Sequence, residues 1–154
     1  MLLLDGKEVS KSIYQYIKDS KITRRLKLVV ILVGDKEDSK VYVNMKKRKC
    51  QEYDIDVDVI NYEKDTSKET IINAIKQYNN DSSVNGLMVQ LPLPPYLQEY
   101  TREILDNIEP KKDVDGLTSN NMGKICLNHE NTFYQCTPLG IIELLNYYNI
   151  PIIR

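Results

Sequence analysis

One lysine of the segment 39–53 has the chemistry of a site residue because it falls on the inward face of a predicted helix. At about 100° per position, Lys46 lies near the middle of an arc about 100° wide, and Tyr42 lies one turn before it. The arc also contains Ser39, Val43, Cys50 and Tyr53. An ammonium in apolar surroundings pairs with an acid or becomes easier to deprotonate, which makes Lys46 a candidate proton-transfer residue. The alternative is that its stem follows the helix and its charge reaches solvent.

A glutamine near the end of a short apolar strand is the second candidate. Gln90 lies near the end of the run 84–91, and three prolines follow within five residues. Proline cannot donate to a strand ladder, so the strand is expected to end here and to present the Gln90 amide at the edge of the sheet. Ligands bind at this edge in parallel α/β sheets. The alternative is ordinary polarity at the end of a strand.

Two aspartates in the segment K-K-D-V-D-G are the third candidate. Asp113 and Asp115 flank Val114, so in an extended loop both carboxylates would face the same way. A solvated turn is the alternative interpretation. A magnesium site would need further acidic ligands, and the sequence has no second acidic cluster.

The elements that must position these residues alternate between strands and helices. Strands are predicted at 2–4, 26–33, 55–62 and 84–91, and helices at 7–20, 39–53, 67–78, 101–108 and 137–148. Thr137 and Pro138 are a good helix start, with threonine as the cap. The apolar run 26–33, in which Lys27 is the one polar residue, is typical of a strand that is covered on both faces. The pattern predicts an α/β fold, a three-layer domain with a mainly parallel sheet flanked by helices.

Composition limits the classes of function. The chain has 154 residues, the size of one domain, and its net charge of −1 favours neither nucleic acid nor an anionic membrane as a partner. The longest strongly apolar run, 28–33, is far too short to span a bilayer, and no signal peptide is evident, so we expect a cytoplasmic protein. Three scattered cysteines and the single His129 predict no metal site. No dinucleotide, P-loop or serine-hydrolase motif occurs.

Four motifs in order resemble those of one enzyme family. They are Y-V-x-x-K-x-x-x-C at 42–50, V-Q-L-P-L-P at 89–94, K-D-V-D-G-L at 112–117 and C-T-P-x-G at 136–140, with D-G-K at 5–7 in addition. This set resembles the bifunctional methylenetetrahydrofolate dehydrogenase/methenyltetrahydrofolate cyclohydrolase family over nearly the whole chain. That family oxidises the methylene bridge of the folate by hydride transfer to NADP or NAD, then hydrolyses the methenyl product to 10-formyltetrahydrofolate.

The resemblance implies roles for individual residues. Lys46 corresponds to the catalytic lysine, Gln90 would hydrogen-bond to it, Tyr42 would stack on the folate ring and Asp115 would hold the pterin. Other substrate-binding positions by the same resemblance are Ser39, Leu91 and Cys136. The implied partner is a folate substrate, and family members are commonly homodimers.

The chain also departs from the family pattern. Gln135 stands where a proline is common and Leu139 where a lysine is common. Family members continue into a Rossmann cofactor domain that is absent from these 154 residues. We therefore expect residues 1–154 to be the folate-binding catalytic domain, to hold no cofactor and to lack dehydrogenase activity alone. The alternative is a non-catalytic folate-binding or protein-interaction module.

Overall fold

The computed structural model describes residues 3–20, 22 and 24–152. The chain divides into two compact units. One unit contains residues 25–133, and the other combines the residues up to 24 with those from 134 onwards.

A parallel sheet forms the centre of the unit 25–133. Its strands are β1 (Leu26–Val33), β2 (Ile55–Tyr62) and β3 (Gly86–Val89), in the order β2-β1-β3. Both neighbours of β1 run parallel to it, and the register pairs Leu28 with Val57 on one side and with Gly86 on the other. The carboxyl ends of β1 and β3 therefore open at the same edge of the sheet.

The described residues of the two units form six α-helices. In chain order they are α1 (Gly6–Asp19), α2 (Glu37–Gln51), α3 (Lys68–Asn80), α4 (Thr101–Leu105), α5 (Ser119–Cys126) and α6 (Cys136–Tyr147). A 3₁₀ helix, Pro95–Tyr100, precedes α4. No helix formed by the described residues is long and apolar enough to cross a membrane.

Alternate residues of β1 face two different apolar layers. Val29 and Ile31 are fully buried in the larger cluster, which includes residues of α3 and α4 such as Ile71 and Ile104. The residues between them belong to a second cluster, formed by Val30, Leu32, Met88 and Val43 of α2. Burial on both faces explains why the β1 sequence shows no polar alternation. The predicted three-layer α/β fold is confirmed.

Several predicted boundaries are wrong. Leu3 and Leu4 are not in a strand, and Leu2 lies outside the described residues. β3 is shorter than expected, and α4 stops at Leu105, where the N–H of the cap residue Asp106 donates to Arg102 O and Ile104 O. Thr137 is not the cap of α6, since Gln135 precedes a helix that begins at Cys136. The helix α5 was not expected at all.

In the other unit, Tyr148 links α6 to the start of α1. Its hydroxyl accepts a hydrogen bond from Asp5 N at 3.0 Å and donates to Glu8 Oε2 at 3.1 Å. The Asp5 carboxylate in turn accepts from Lys7 N at 2.8 Å, which makes Asp5 the cap of α1. The unit is thus held partly by polar contacts.

Candidate active site

Lys46 is directed towards the sheet and not towards bulk solvent. Val43, one turn earlier on α2, is buried against the sheet and fixes the face of the helix that carries Lys46. The Lys46 side chain is half-buried, and its Nζ donates to Gln90 Oε1 at 3.2 Å and to Met88 Sδ at 3.5 Å. Both acceptors are neutral, so this pair of contacts leaves the charge of the ammonium uncompensated.

Gln90 has its amide orientation determined by its two partners. The main-chain N–H of Gln90 donates to Ile31 O at 2.8 Å, so its backbone continues the pairing of β3 with β1. Its side-chain Nε2 donates to Leu91 O at 2.8 Å. Because a carbonyl can only accept and Lys46 can only donate, Nε2 must face Leu91 and Oε1 must face Lys46. Gln90 is therefore held as an acceptor for the lysine.

The two acceptors occupy two of the positions around the Lys46 nitrogen. The remaining position is a third N–H in the ammonium and a lone pair in the neutral amine. The same point in space can therefore give a proton or take one. This is the property required of a single group that serves as both acid and base.

The other residues expected near Lys46 differ in their exposure. Ser39, in the first turn of α2, is 3% exposed, and Leu91 is half-buried beside Gln90. Tyr42 is 60% exposed, so its predicted inward position is wrong, although it lies one turn before Lys46. An aromatic ring that is largely exposed beside the lysine is free to take a planar ligand on its face.

Asp113 and Asp115 do not form the pair that an extended loop would give. The segment is a turn in which Gly116 N donates to Asp113 O at 3.1 Å, and Gly116 has a φ of +65°. The Asp113 side chain is 1% exposed and accepts from Leu117 N at 3.2 Å and Thr118 N at 2.9 Å. Asp115 is half-buried. Asp113 is thus engaged in organising the turn.

Cys136 lies in the other compact unit, where it is the exposed first residue of α6. Its role in substrate binding stays a prediction. Among the described residues, no group of three or more His, Cys, Asp and Glu side chains could hold a metal ion.

Sequence reasoning missed two groups that shape the site. Met88 supplies the second acceptor for Lys46, and nothing in an apolar strand distinguishes a methionine that packs from one that accepts a hydrogen bond. Lys112 is 6% exposed and buries its ammonium. The only signal was its place beside the D-V-D motif.

The charge of Lys46 affects the pKa of Cys50, which lies one turn further along α2. Its thiol is half-buried, and burial raises the pKa of Cys50. The positive charge of Lys46 opposes part of that rise.

Comparison with known proteins supports one family. The family model for the tetrahydrofolate dehydrogenase/cyclohydrolase catalytic domain matches residues 4–115. The bifunctional protein FolD of Hydrogenobaculum sp. is 42% identical over 153 residues, which cover 97% of this chain and 54% of that protein. The bifunctional protein FolD of Aquifex aeolicus is 42% identical over 157 residues, covering 98% of this chain and 53% of that protein.

Solved structures agree with this relationship. The bifunctional enzyme FolD of Campylobacter jejuni, a methylenetetrahydrofolate dehydrogenase/cyclohydrolase, superposes with a TM-score of 0.87 at 38% identity, covering 97% of this chain and 54% of that one. The Trypanosoma brucei enzyme, solved with NADP cofactor and inhibitor, has a TM-score of 0.86 at 25% identity, covering 96% of this chain and 52% of that one.

The chain has a parallel sheet with a lysine–glutamine pair at its carboxyl edge. In α/β domains of this class, ligands bind beyond the carboxyl ends of the strands. The chain belongs to the tetrahydrofolate dehydrogenase/cyclohydrolase catalytic domain family. It spans about half the length of the curated relatives it matches.

Proposed function

We propose that this chain is the folate-binding half of an enzyme that interconverts one-carbon forms of tetrahydrofolate. The reactions are oxidation of 5,10-methylenetetrahydrofolate to 5,10-methenyltetrahydrofolate and hydrolysis of that product to 10-formyltetrahydrofolate. The observation that carries the proposal is the Lys46 Nζ contact with Gln90 Oε1 at 3.2 Å, on residues that match the family's motifs.

Hydrolysis of the methenyl cation removes two protons from the attacking water and supplies one to N5, so that one proton is released to solvent. Water attacks the bridging carbon and loses its first proton. N5 then gains a proton and its bond to that carbon breaks, while the hydroxyl on the carbon loses its proton to form the formyl C=O on N10. The open position on the Lys46 nitrogen can accept the proton from water and return it to N5. Gln90 and Met88 accept the other two N–H groups, so the Lys46 nitrogen exchanges a proton only at its remaining position. A positioned group of this kind typically contributes about 10²–10⁴-fold to the rate.

Substrate binding would rely on residues around this pair. The exposed ring of Tyr42 would stack on the folate ring system, and the Asp115 carboxylate would accept paired hydrogen bonds from the pterin amino group and ring N–H. Ser39 and Leu91 would complete this set in the unit 25–133, whereas the role of Cys136, in the other unit, stays a prediction of the family resemblance.

The oxidation step needs a hydride acceptor, and the residues present do not fit a dinucleotide. The turn between β1 and α2 carries the single glycine Gly34 and is followed at once by Asp35, whose charge would repel a pyrophosphate. No G-x-G-x-x-G sequence occurs. The Trypanosoma brucei relative was solved with NADP, and neither this turn nor a sequence motif of the chain fits that group.

The test compares two neighbouring lysines. Lys46→Met and the matched control Lys47→Met, which is exposed on the same helix, are measured for hydrolysis of 5,10-methenyltetrahydrofolate. The assay uses the chain itself and the chain continued by the second half of the Campylobacter jejuni relative. We expect Lys46→Met to lower the rate by about 10²-fold or more and Lys47→Met to leave it unchanged. Equal rates in the two variants would exclude Lys46 from the chemistry, and folate binding without turnover in every protein would favour the non-catalytic module.

A further inference from the structure

Lys112 has a buried ammonium group, and each of its three N–H groups has a main-chain acceptor. Its Nζ donates to the main-chain oxygens of Tyr78, Asn79 and Asp81 at 2.9, 2.8 and 2.6 Å. These carbonyls lie at the C-terminal end of α3, where a helix has unsatisfied acceptors and a partial negative charge. All three N–H groups of the lysine are therefore directed at one helix end.

The backbone around Lys112 is fastened to the sheet as well. Lys112 O accepts from Leu87 N at 2.8 Å, and Asp113 forms an isolated parallel bridge with Leu87 of β3. Val114 then packs so tightly over Gly86 that a Cβ added there would lie 2.7 Å from Val114 Cγ1. The segment thus runs beside the strand that leads directly to Gln90.

Asp113 closes the far side of the same turn. Besides the two main-chain donors after the turn, its carboxylate accepts from Asn121 Nδ2 at 2.9 Å. Asn121 is 1% exposed, and the same Nδ2 donates to Pro110 O at 3.0 Å, so it ties the residues that enter the turn to α5. Asp115 lies midway between Asp113 and Leu117, which are joined by the hydrogen bond from Leu117 N to the Asp113 carboxylate.

We propose that Lys112 and Asp113 are positioning residues that hold Asp115 where it receives the pterin. For brevity, residues 112–118 are called the Asp115 turn. This inference rests on the proposed function, because it assigns Asp115 a folate to bind. Neither residue needs to touch the substrate: Lys112 fixes the turn to the end of α3, and Asp113 fixes its curvature.

A purely structural role would give a different result from a positioning role. If Lys112 only stabilised the fold, its removal would lower the melting temperature and leave the folate affinity of the folded protein unchanged. If it positions Asp115, affinity falls in the folded protein, and the fall disappears when Asp115 has already been removed. Residues that act through one another show such non-additive effects.

The experiment is a double-mutant cycle on the chain itself. The Kd of folate is titrated at a temperature below the melting transition for the unsubstituted chain, Lys112→Met, Asp115→Ala and the double variant. Lys111→Met is the matched control, because Lys111 is the adjacent lysine and its side chain is 71% exposed. We expect Lys112→Met to weaken binding by about tenfold, a smaller loss than that of Asp115→Ala, because a displaced carboxylate makes poorer hydrogen bonds but is still present. In the Asp115→Ala background we expect no further loss, and Lys112→Arg should recover part of the affinity.

The outcomes separate this inference from the function on which it rests. Equal Kd values for Lys112→Met and Lys111→Met would overturn the inference alone, and so would an equal loss in both backgrounds. Absence of folate binding by the unsubstituted chain would overturn the proposed function first. If Lys112→Met shows no melting transition, the milder Lys112→Gln and Asp113→Asn enter the same cycle, and the same two results decide.

Discussion

Replacing Gly86 by alanine would test how closely the Asp115 turn approaches the sheet. The added Cβ would lie 2.7 Å from Val114 Cγ1 and 3.2 Å from Leu28 Cδ1. Unstrained Cβ atoms do not approach to 2.7 Å, so the turn or the strand must move. Overpacking of this kind typically costs about 1–3 kcal/mol. For a chain of this size, each kcal/mol corresponds to about 2–4 °C, so we expect the melting temperature to fall by about 2–12 °C.

The second substitution of the pair identifies the cause. Val114→Ala removes both methyl groups that Gly86→Ala would meet, at a cost of about 1–2 kcal/mol because Val114 is half-buried. In the double variant the new methyl group fills part of the space that Val114 has left. We therefore expect the double variant to lose less stability than the two single losses added together, by about 1 kcal/mol.

The free energy of unfolding would be measured by urea denaturation, followed by circular dichroism because the chain has no tryptophan. The folate Kd of each variant, measured in the folded protein, would show whether a displaced turn also displaces Asp115. Strictly additive losses, or a Gly86→Ala chain as stable as the unsubstituted one, would show that the close approach described here does not occur.

Two further predictions concern the same elements. Asp115→Ala should weaken folate binding in an equilibrium titration by about 1.5–3 kcal/mol, more than Asp113→Ala does in the folded protein. Asp113→Ala should be the less stable variant, because it leaves buried N–H groups unpaired. The reverse order of affinities would refute the assignment of Asp115. Cys50 should be alkylated more slowly than the exposed Cys126, because burial raises the pKa of Cys50, and peptide mapping should show a further slowing in Lys46→Met but not in Lys47→Met. Since the Cys50 pKa is raised in the folded state, its contribution to stability is present below the pKa of the unfolded thiol and is lost as the pH rises through the folded value. A Cys50 rate that does not respond to Lys46→Met would show that the charge of Lys46 does not reach the thiol.

The central strand and the helix that carries Lys46 could be predicted because their signals are local. β1 occupies 26–33 as expected, since seven of its eight residues are apolar and fit a strand buried on two faces. The inward direction of Lys46 also followed from helical periodicity. Tyr42 was placed wrongly because a helical wheel gives an angle but not the width of the covered surface: Ser39 and Val43 are each 3% exposed, whereas Tyr42 between them is 60% exposed.

The turn at Asp113 and the helix after it depend on particular side-chain hydrogen bonds, which hydrophobic periodicity does not encode, so their structure was not predicted. α5 begins S-N-N and contains Gly123, a composition that disfavours a helix. It forms because Thr118 caps its first turn and because Asn121 is held by Asp113 and Pro110. Likewise, the D-V-D spacing favoured two parallel carboxylates only as long as the backbone was extended. The bond from Gly116 N to Asp113 O makes it a turn.

The order of the strands has a consequence for how the protein folds. β1 is central, so β2 can pair with it as soon as the intervening helix has formed, whereas β3 must return across a second helix. Contacts between residues far apart in sequence are slow to form, because the chain between them must lose conformational entropy before the contacts stabilise the structure. Lys46 and Gln90 are 44 residues apart, and their contact requires β3. During synthesis, the pairing of β1 with β2 can therefore be complete before the contact between Lys46 and Gln90 forms. The contact between these two side chains marks one of the last events in the assembly of the sheet.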